Sequence, residues 1–362
     1  MDLDFGQLNP QACRTYLLKA RGSSEAVLVD PCLDCVPGYL HLLDREKLKL
    51  THAIDTHTHA DHISGAAALR DRTGCEYVMH AKAPAKCVTV RVSDGVELDL
   101  AGVRMKVLHT PGHTKDGVCL VLGDRVLTGD TLFLDDGGAG RDDLPGGDPG
   151  EHFDSLQRIL GLPDSLTVFP AHDYRNRTPS DLARQKRSNP HLKARSKSEF
   201  VTYLGDLRLG PAEWMKEVLK ANYACARDPK AAFIPTEGNA CEVSGPPGRS
   251  AGDSEVPGIT PDELARRLDE GLKPVLLDVR QPQELVGELG HLPGITHIPV
   301  GMLVARCREL EGARDRGIVT ICKSGIRAHA AAQFLLHAGY PKVEVLVGGM
   351  VRWNEEGLPT QS

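Results

Sequence analysis

Short apolar runs closed by glycine, proline and polar residues recur along the first two thirds of the chain. "CRTYLLKA" and "EAVLVDP" read as strands, "GYLHLLDREKL" and "AAALRDRTG" as helices, the second ending on Gly74. "VRMKVLHTPGHT" and "VCLVLGDRVLTGDTLF" read as strands that run out into turns. Strands alternating with helices, with polar residues gathered where strands end, predict an α/β fold whose chemistry sits on loops.

The last third is more regular. "TPDELARRLDEG" and "RAHAAAQFLLHAGY" carry helical periodicity, while "PVLLDVR", "GIVTICKSG" and "KVEVLVGG" read as buried parallel strands. That alternation predicts a small doubly wound sheet. Between the two patterns, "PTEGNACEVSGPPGRSAGDSEVP" has no apolar period and is rich in Gly, Pro, Ser and acids. The expected organisation is a domain over 1–235, a linker over 236–257 and a second domain over 258–362.

Composition narrows the class without changing the picture. A chain of 362 residues with 41% hydrophobic and 25% charged positions is an ordinary globular one. Its net charge of −6 and pI near 6.2 give no global reason to expect nucleic acid or an anionic membrane as partner. Residues 175–197 are locally basic, with eight Lys/Arg against Asp181 alone, and read as a solvated helix face. The N-terminus carries acids where a signal peptide carries bases, and no apolar run is long enough to span a membrane. The expectation is a cytoplasmic protein whose ten cysteines are reduced thiols. Cys32 and Cys35 form a C-x-x-C without a second pair at zinc-finger spacing. Cys13, Cys75, Cys87, Cys119, Cys225, Cys241 and Cys307 have no chemical partner that the sequence identifies.

The candidate chemistry begins at "THTHADH", which holds His57, His59, Asp61 and His62. His113 in "HTPGHT", Asp130 in "LTGDTLF" and His172 in "PAHDY" each follow a strand-like run, where loops of one sheet edge converge. Imidazole together with carboxylate suits Zn, Fe or Mn. On an extended segment, His57 and His59 project to the same side.

These four motifs resemble those of the metallo-β-lactamase superfamily, over roughly residues 1–235. The resemblance implies an αββα sandwich with metal at its rim. Among its branches the chain looks most like the persulfide dioxygenases. That likeness implies one Fe(II) per chain on His57, His113 and Asp130, with His59, Asp61, His62 and His172 around them. Two histidines and a carboxylate leave three coordination positions open, which sulfur and O2 need. "GAGRDDLPGGD" and "HDYRNR" add Arg141, Asp143, Tyr174 and Arg177 as candidate contacts to the carboxylates and amine of glutathione. The ligand inventory alone does not choose between one metal and two, since all seven positions are present.

In the second domain, "TICKSGIRA" sets Cys322 between a strand and a helix, with Lys323 and Arg327 nearby. Backbone N–H groups at such a turn stabilise a thiolate. Residues 258–362 resemble the rhodanese-type sulfurtransferases through "LLDVR", "GHLPGITHIPVGML", the loop Cys322–Arg327 and "GGMVRW". The resemblance implies Cys322 as the sulfur-accepting nucleophile, Arg327 as the cation closing the loop and Lys323 as a contact for thiosulfate. Asp278 and Arg280 are expected to brace the loop.

The pairing resembles bacterial persulfide dioxygenase–rhodanese fusions. It implies oxidation of glutathione persulfide by O2 to sulfite and glutathione, and transfer of sulfane sulfur among glutathione, sulfite and thiosulfate. The alternatives are a two-zinc hydrolase of glutathione thioesters with an accessory second domain, and a persulfide-binding module with a structural metal. A homo-oligomer is left open.

Overall fold

The computed structural model describes residues 3–9, 13–173, 177–207, 213–232 and 256–361. They form two compact units, one mainly from the first 252 residues and the other mainly from 253 onward. Of the interval read as a linker, only Val256 and Pro257 are among the described residues.

The first unit opens with three antiparallel strands, β1 (Leu3–Gln7), β2 (Tyr16–Ala20) and β3 (Glu25–Val29). Helix α1 (Val36–Arg45) leads to β4 (Lys49–Ile54), and α2 (Ala66–Thr73) to β5 (Glu76–His80) and β6 (Val90–Val92), all parallel to β3. These six strands form one sheet in chain order. The second sheet holds β7 (Glu97–Leu100), β8 (Val103–His109), β9 (Val118–Leu122), β10 (Arg125–Gly129) and β11 (Thr167–Pro170), in the order β11-β10-β9-β8-β7. Helices α3 (Pro149–Leu160), α4 (Leu182–Ser188), α5 (Lys197–Gly205) and α6 (Glu213–Tyr223) complete the unit.

Alternation along the strands decides the layering. Tyr16, Leu18, Val27, Val29 and Ile54 from one sheet pack against Val103, Met105, Val107, Leu120 and Leu127 from the other. The residues between them, Leu108, Cys119 and Val126, turn outward to meet Leu156 and Ile159 of α3 and Phe200 of α5. Two facing sheets with helices outside make the expected αββα sandwich. Gly74 ends α2 in the left-handed conformation at φ 73°, as its position after the helix predicts.

The second unit is the expected doubly wound sheet. Strands β12 (Gly258–Ile259), β13 (Val275–Asp278), β14 (Thr296–His297), β15 (Ile318–Ile321) and β16 (Val343–Leu346) run parallel in the order β12-β16-β15-β13-β14. Helices α7 (Pro261–Asp269), α8 (Pro282–Leu285), α9 (Val300–Arg306), α10 (Ile326–His337) and α11 (Gly349–Glu355) connect them. Leu277, Ile318 and Val345 face Leu303, Ala328 and Leu335, whereas Leu276, Val319 and Leu346 face Leu264, Met350 and Trp353. Both faces are covered, so the strands are apolar on consecutive residues.

One expectation is corrected. Cys87 and Cys225 are joined as a disulfide across 138 residues of sequence, where reduced thiols without partners were expected. The loop after β5 meets the chain just beyond α6, an adjacency that only the tertiary fold creates. The basic stretch is mostly solvated, as expected, with Arg184, Arg187, Lys193 and Lys197 exposed, and four of its cations meet acids: Arg184 with Asp135, Lys186 with Asp164, Lys197 with Asp154 and Arg177 with Asp136. The chain leaves β4 after Ile54, and the His57 and His59 rings lie side by side with centroids 4.2 Å apart. Among the described residues, no helix is long and apolar enough to cross a membrane.

Candidate metal and thiol sites

Five chain segments leave the two sheets at the same rim. They are the ends of β3 (Asp30), β4 (Asp55 to His62), β8 (Thr110 to Thr114), β10 (Asp130) and β11 (Ala171 to Asp173). Two glycines make the approach possible. Gly112, at φ 143°, leaves no room for a Cβ against His152, and a Cβ on Gly129, at φ 53°, would stand 2.8 Å from the Thr56 hydroxyl.

His57, His113 and Asp130 converge. Each imidazole Nε2 lies 3.6 Å from Asp130 Oδ2, and all three side chains are nearly inaccessible to solvent. None of these three atoms has a hydrogen-bond partner. Buried polar atoms left unpartnered cost stability, so three of them pointing at one another mark a position for a cation. The opposite end of each group is fixed. His57 Nδ1 faces the Thr56 hydroxyl at 3.0 Å, His113 Nδ1 donates to the Arg141 carbonyl at 2.6 Å, and His172 Nδ1 meets Asp130 Oδ1 at 2.6 Å. These contacts hold the rings with Nε2 turned inward.

The other four candidates surround this trio. His172 is flanked by carboxylates, with Asp61 Oδ2 at 2.8 Å from its Nε2. Asp61 also meets His62 at 3.3 Å and accepts from the Cys13 thiol at 3.2 Å. Cys13, Asp61, His62 and His172 therefore form a second group with metal-competent atoms close together. His59 turns instead to Asp30, 3.2 Å away.

Electrostatics follow the geometry. Burial pushes the Asp130 carboxyl up, but His172 and His57 outweigh it and hold the group well below the usual carboxylate range. Burial, reinforced by His59, brings the His57 imidazole down to about 3, leaving it neutral as a ligand must be. Burial raises Asp55 to about 7, with Asp30 adding to the shift.

The substrate-side candidates divide. Arg141 is clamped on Asp143 through two contacts of 2.6 and 2.7 Å, and Asp143 is half exposed. Arg177 spans Asp136 and Asp173, and Asp173 also receives Arg14. Tyr174 lies outside the described residues.

Asp30, Thr56 and Cys13 were missed from the sequence. Asp30 Oδ1 accepts from both the N–H and the hydroxyl of Thr56, so it braces His57 and His59 together. Its one signal was an acid ending an apolar strand, in "VLVDP".

In the second unit, Cys322 follows β15 and its sulfur accepts from Gly325 N–H at 3.1 Å, at the start of α10. Met350 N–H and Val351 N–H hold the carbonyls of Cys322 and Lys323, fixing the loop from α11. Lys323 is exposed. Arg327 makes a two-pronged ion pair with Glu284, both contacts 2.7 Å, which neutralises it in place. Arg280 is buried against Asp278 at 2.7 Å and donates to the Gly290 carbonyl, so the pair braces the segment that follows β13.

Comparison with known proteins agrees with both halves. The metallo-beta-lactamase superfamily matches residues 8–172 and the rhodanese-like domain residues 260–356. The chain is 35% identical over 221 residues to the mitochondrial persulfide dioxygenase ETHE1 of Homo sapiens, covering 60% of this chain and 85% of that protein. It is 40% identical to the crystal structure of ETHE1 from Myxococcus xanthus, with TM-score 0.58 over 61% of this chain and 99% of that one. A metallo-beta-lactamase structure from Staphylococcus aureus, 21% identical with TM-score 0.57, shares the fold over 95% of this chain and 98% of its own. The fold and these relatives mark a metal site in the first unit and sulfur compounds as substrates. The chain belongs to the persulfide dioxygenase family, built on a metallo-β-lactamase domain and joined here to a rhodanese domain.

Proposed function

We propose that the first domain oxidises glutathione persulfide with O2 at one ferrous ion held by His57, His113 and Asp130. With one water, persulfide and O2 balance to glutathione, sulfite and two protons. The observation that carries this reading is the trio of buried, unpartnered atoms, two nitrogens and one oxygen, that face one another. Such a donor set fits ferrous iron and leaves coordination positions for sulfur and O2. When bound, iron supplies the redox chemistry. The chain supplies the rest: Thr56 and the Arg141 carbonyl fix the two imidazoles, and His172 fixes the carboxylate. Arg141 with Asp143 presents opposite charges to the zwitterionic thiol, whereas the Arg177 guanidinium already serves two acids. The second domain passes sulfane sulfur among thiosulfate, sulfite and glutathione through a persulfide on Cys322, whose sulfur is met by the Gly325 N–H, with Lys323 exposed beside it. We assign the domains to 1–235 and 258–362, with a linker over 236–257, in a cytoplasmic protein.

A second reading, a two-zinc glutathione-thioester hydrolase, draws on the group of Cys13, Asp61, His62 and His172. The single metal is favoured because Asp61 Oδ2 already accepts from the Cys13 thiol and lies 2.8 Å from His172 Nε2, contacts that a second metal would have to displace. Anaerobic purification, elemental analysis and an oxygen electrode test the choice. About one iron per chain and O2 uptake on adding glutathione persulfide are expected; two zincs and no uptake sink it.

A further inference from the structure

The C-x-x-C of Cys32 and Cys35 and the thiol of Cys13 stay unused by either reaction. Strands β2 and β3 pair Tyr16 with Val29, Leu17 with Leu28 and Leu18 with Val27. Continued past the strand ends, that register sets Cys13 opposite Cys32, and the neighbouring Cys32 thiol lowers the Cys13 pKa. Cys35 stands in turn within hydrogen-bond reach of Cys32. Cys13 is half-buried, while Cys32 and Cys35 are buried. A half-buried thiol backed by a fully buried one is the order of an attacking and a resolving cysteine.

The same Cys13 thiol is wired to the metal site. It donates to Asp61 Oδ2 at 3.2 Å, Asp61 Oδ2 lies 2.8 Å from His172 Nε2, and His172 Nδ1 lies 2.6 Å from Asp130 Oδ1. Any bond made by Cys13 sulfur away from Asp61 removes the first member of that chain.

We propose that Cys13 is a modification site for low-molecular-weight persulfides, resolved by Cys32, and that the resulting disulfide slows the dioxygenase by releasing Asp61. The inference rests on the persulfide reading of the neighbouring site for its reagent. Cys13 thiolate attacks the sulfane sulfur of the persulfide; a Cys13 S–S bond forms, the persulfide's own S–S bond breaks, and the thiol departs after taking a proton. Cys32 thiolate then attacks the Cys13 sulfur, forming the Cys13–Cys32 disulfide and expelling hydrosulfide. In sum, one persulfide and two cysteine thiols give one thiol, one hydrogen sulfide and one disulfide. The persulfide is the oxidant, and no other is required.

The test treats the full-length, anaerobically purified protein with glutathione persulfide, removes the excess, and follows each cysteine by alkylation and peptide mass spectrometry. Wild type should yield a linked Cys13–Cys32 peptide and release sulfide, and its later O2 uptake should fall about tenfold, the scale of losing a residue that orients a ligand, until dithiothreitol restores it. Cys32→Ser should instead keep one extra sulfur on Cys13. Cys13→Ser should show neither change. Full alkylation of Cys13 after treatment, in samples where Cys322 has gained sulfur, overturns the proposal, as does a linked peptide in protein with undiminished uptake. The two readings fail separately. Uptake with Cys13 untouched removes only the modification site; a linked peptide in iron-loaded protein that never consumed O2 removes the dioxygenase and the slowing of it, and leaves the modification site standing.

Discussion

The two candidate centres are assembled in opposite ways. The metal site draws His57, His113, Asp130 and their supports from five rim segments spread over more than a hundred residues, and apart from the Thr56 hydroxyl beside His57 the contacts that orient these groups are long-range. The thiol site is one continuous loop, Cys322 to Arg327, with a backbone donor for the sulfur and a single outside acid, Glu284. A dispersed side-chain site concentrates function in each member and in whatever holds that member still. A loop site spreads the work over backbone that substitution cannot remove. Separate chemistry in separate units also means that each should be destructible without the other.

The sharpest break of the comparison is a crossed pair of substitutions. Asp130→Ala removes a proposed ligand atom and the anchor of His172 at once. O2 uptake with glutathione persulfide should fall about a thousandfold or more, equivalent to roughly 4 kcal/mol, while sulfur transfer from thiosulfate persists. Cys322→Ser should do the reverse, since serine cannot carry sulfane sulfur. Sulfur transfer surviving in Cys322→Ser, measured as sulfite released from thiosulfate, would overturn the second assignment.

One step down in size, Asp30→Asn tests whether the dispersed site depends on residues that touch no ligand atom directly. Asp30 carries Thr56, and Thr56 sets the His57 ring. Metal affinity should drop about ten- to a hundredfold, with overall folding retained, as read by competition with a chelator. Unchanged affinity would show that Thr56 alone orients His57.

What could be read from the sequence tracks the same contrast. "THTHADH", "HTPGHT" and "LTGD" were legible because each packs chemistry and turn-forming residues into a few positions. The loop at Cys322 was legible for the same reason, as were the parallel strands of the second unit, apolar on both faces. Asp30 and the Cys13–Cys32 pairing were not, because their significance arises from segments far apart in sequence that the sheet brings together. The Cys87–Cys225 bridge is the extreme case. Strands β1, β6 and β7 also escaped reading: they are short and mostly half exposed, with little apolar alternation to declare them.

The units should also part company in acid. His191 is buried beside Phe200 and Tyr203 with neither ring nitrogen hydrogen-bonded, and burial, aided by His152 and Arg195, drives it from 6.5 down to about 3. A histidine depressed in the fold contributes its full stability above pH 6.5. Below that the unfolded chain takes up a proton that the folded chain refuses, and the contribution drains away toward pH 3. From pH 7 to pH 5 this single group should cost the first unit about 2 kcal/mol. Trp214 lies in the first unit and Trp353 in the second, so Trp214→Phe and Trp353→Phe give separate fluorescence reports of urea unfolding. The midpoint reported by Trp214 should fall on acidification more than that reported by Trp353, and His191→Gln should narrow the gap. Equal shifts in both reports would mean that buried histidine does not set the difference.

The smallest effect expected is at Glu284, where the two ways of building a site meet. Its carboxylate both caps the start of α8 and occupies the Arg327 guanidinium, so the loop is held firm at the expense of a free cation facing the thiol. The pair is mostly but not wholly shielded, with side chains 15% and 28% exposed, so its loss should cost only about 1 kcal/mol of stability. Glu284→Gln keeps the shape and returns one positive charge to the loop. A dianionic donor such as thiosulfate should then bind better, its KM falling about two- to fivefold, while kcat holds or declines as the loop loosens. The fall in KM should shrink with added salt, because the gain is electrostatic. If KM rises instead, Arg327 serves the reaction through the position that Glu284 gives it, and the loop depends on a side chain beyond its own backbone.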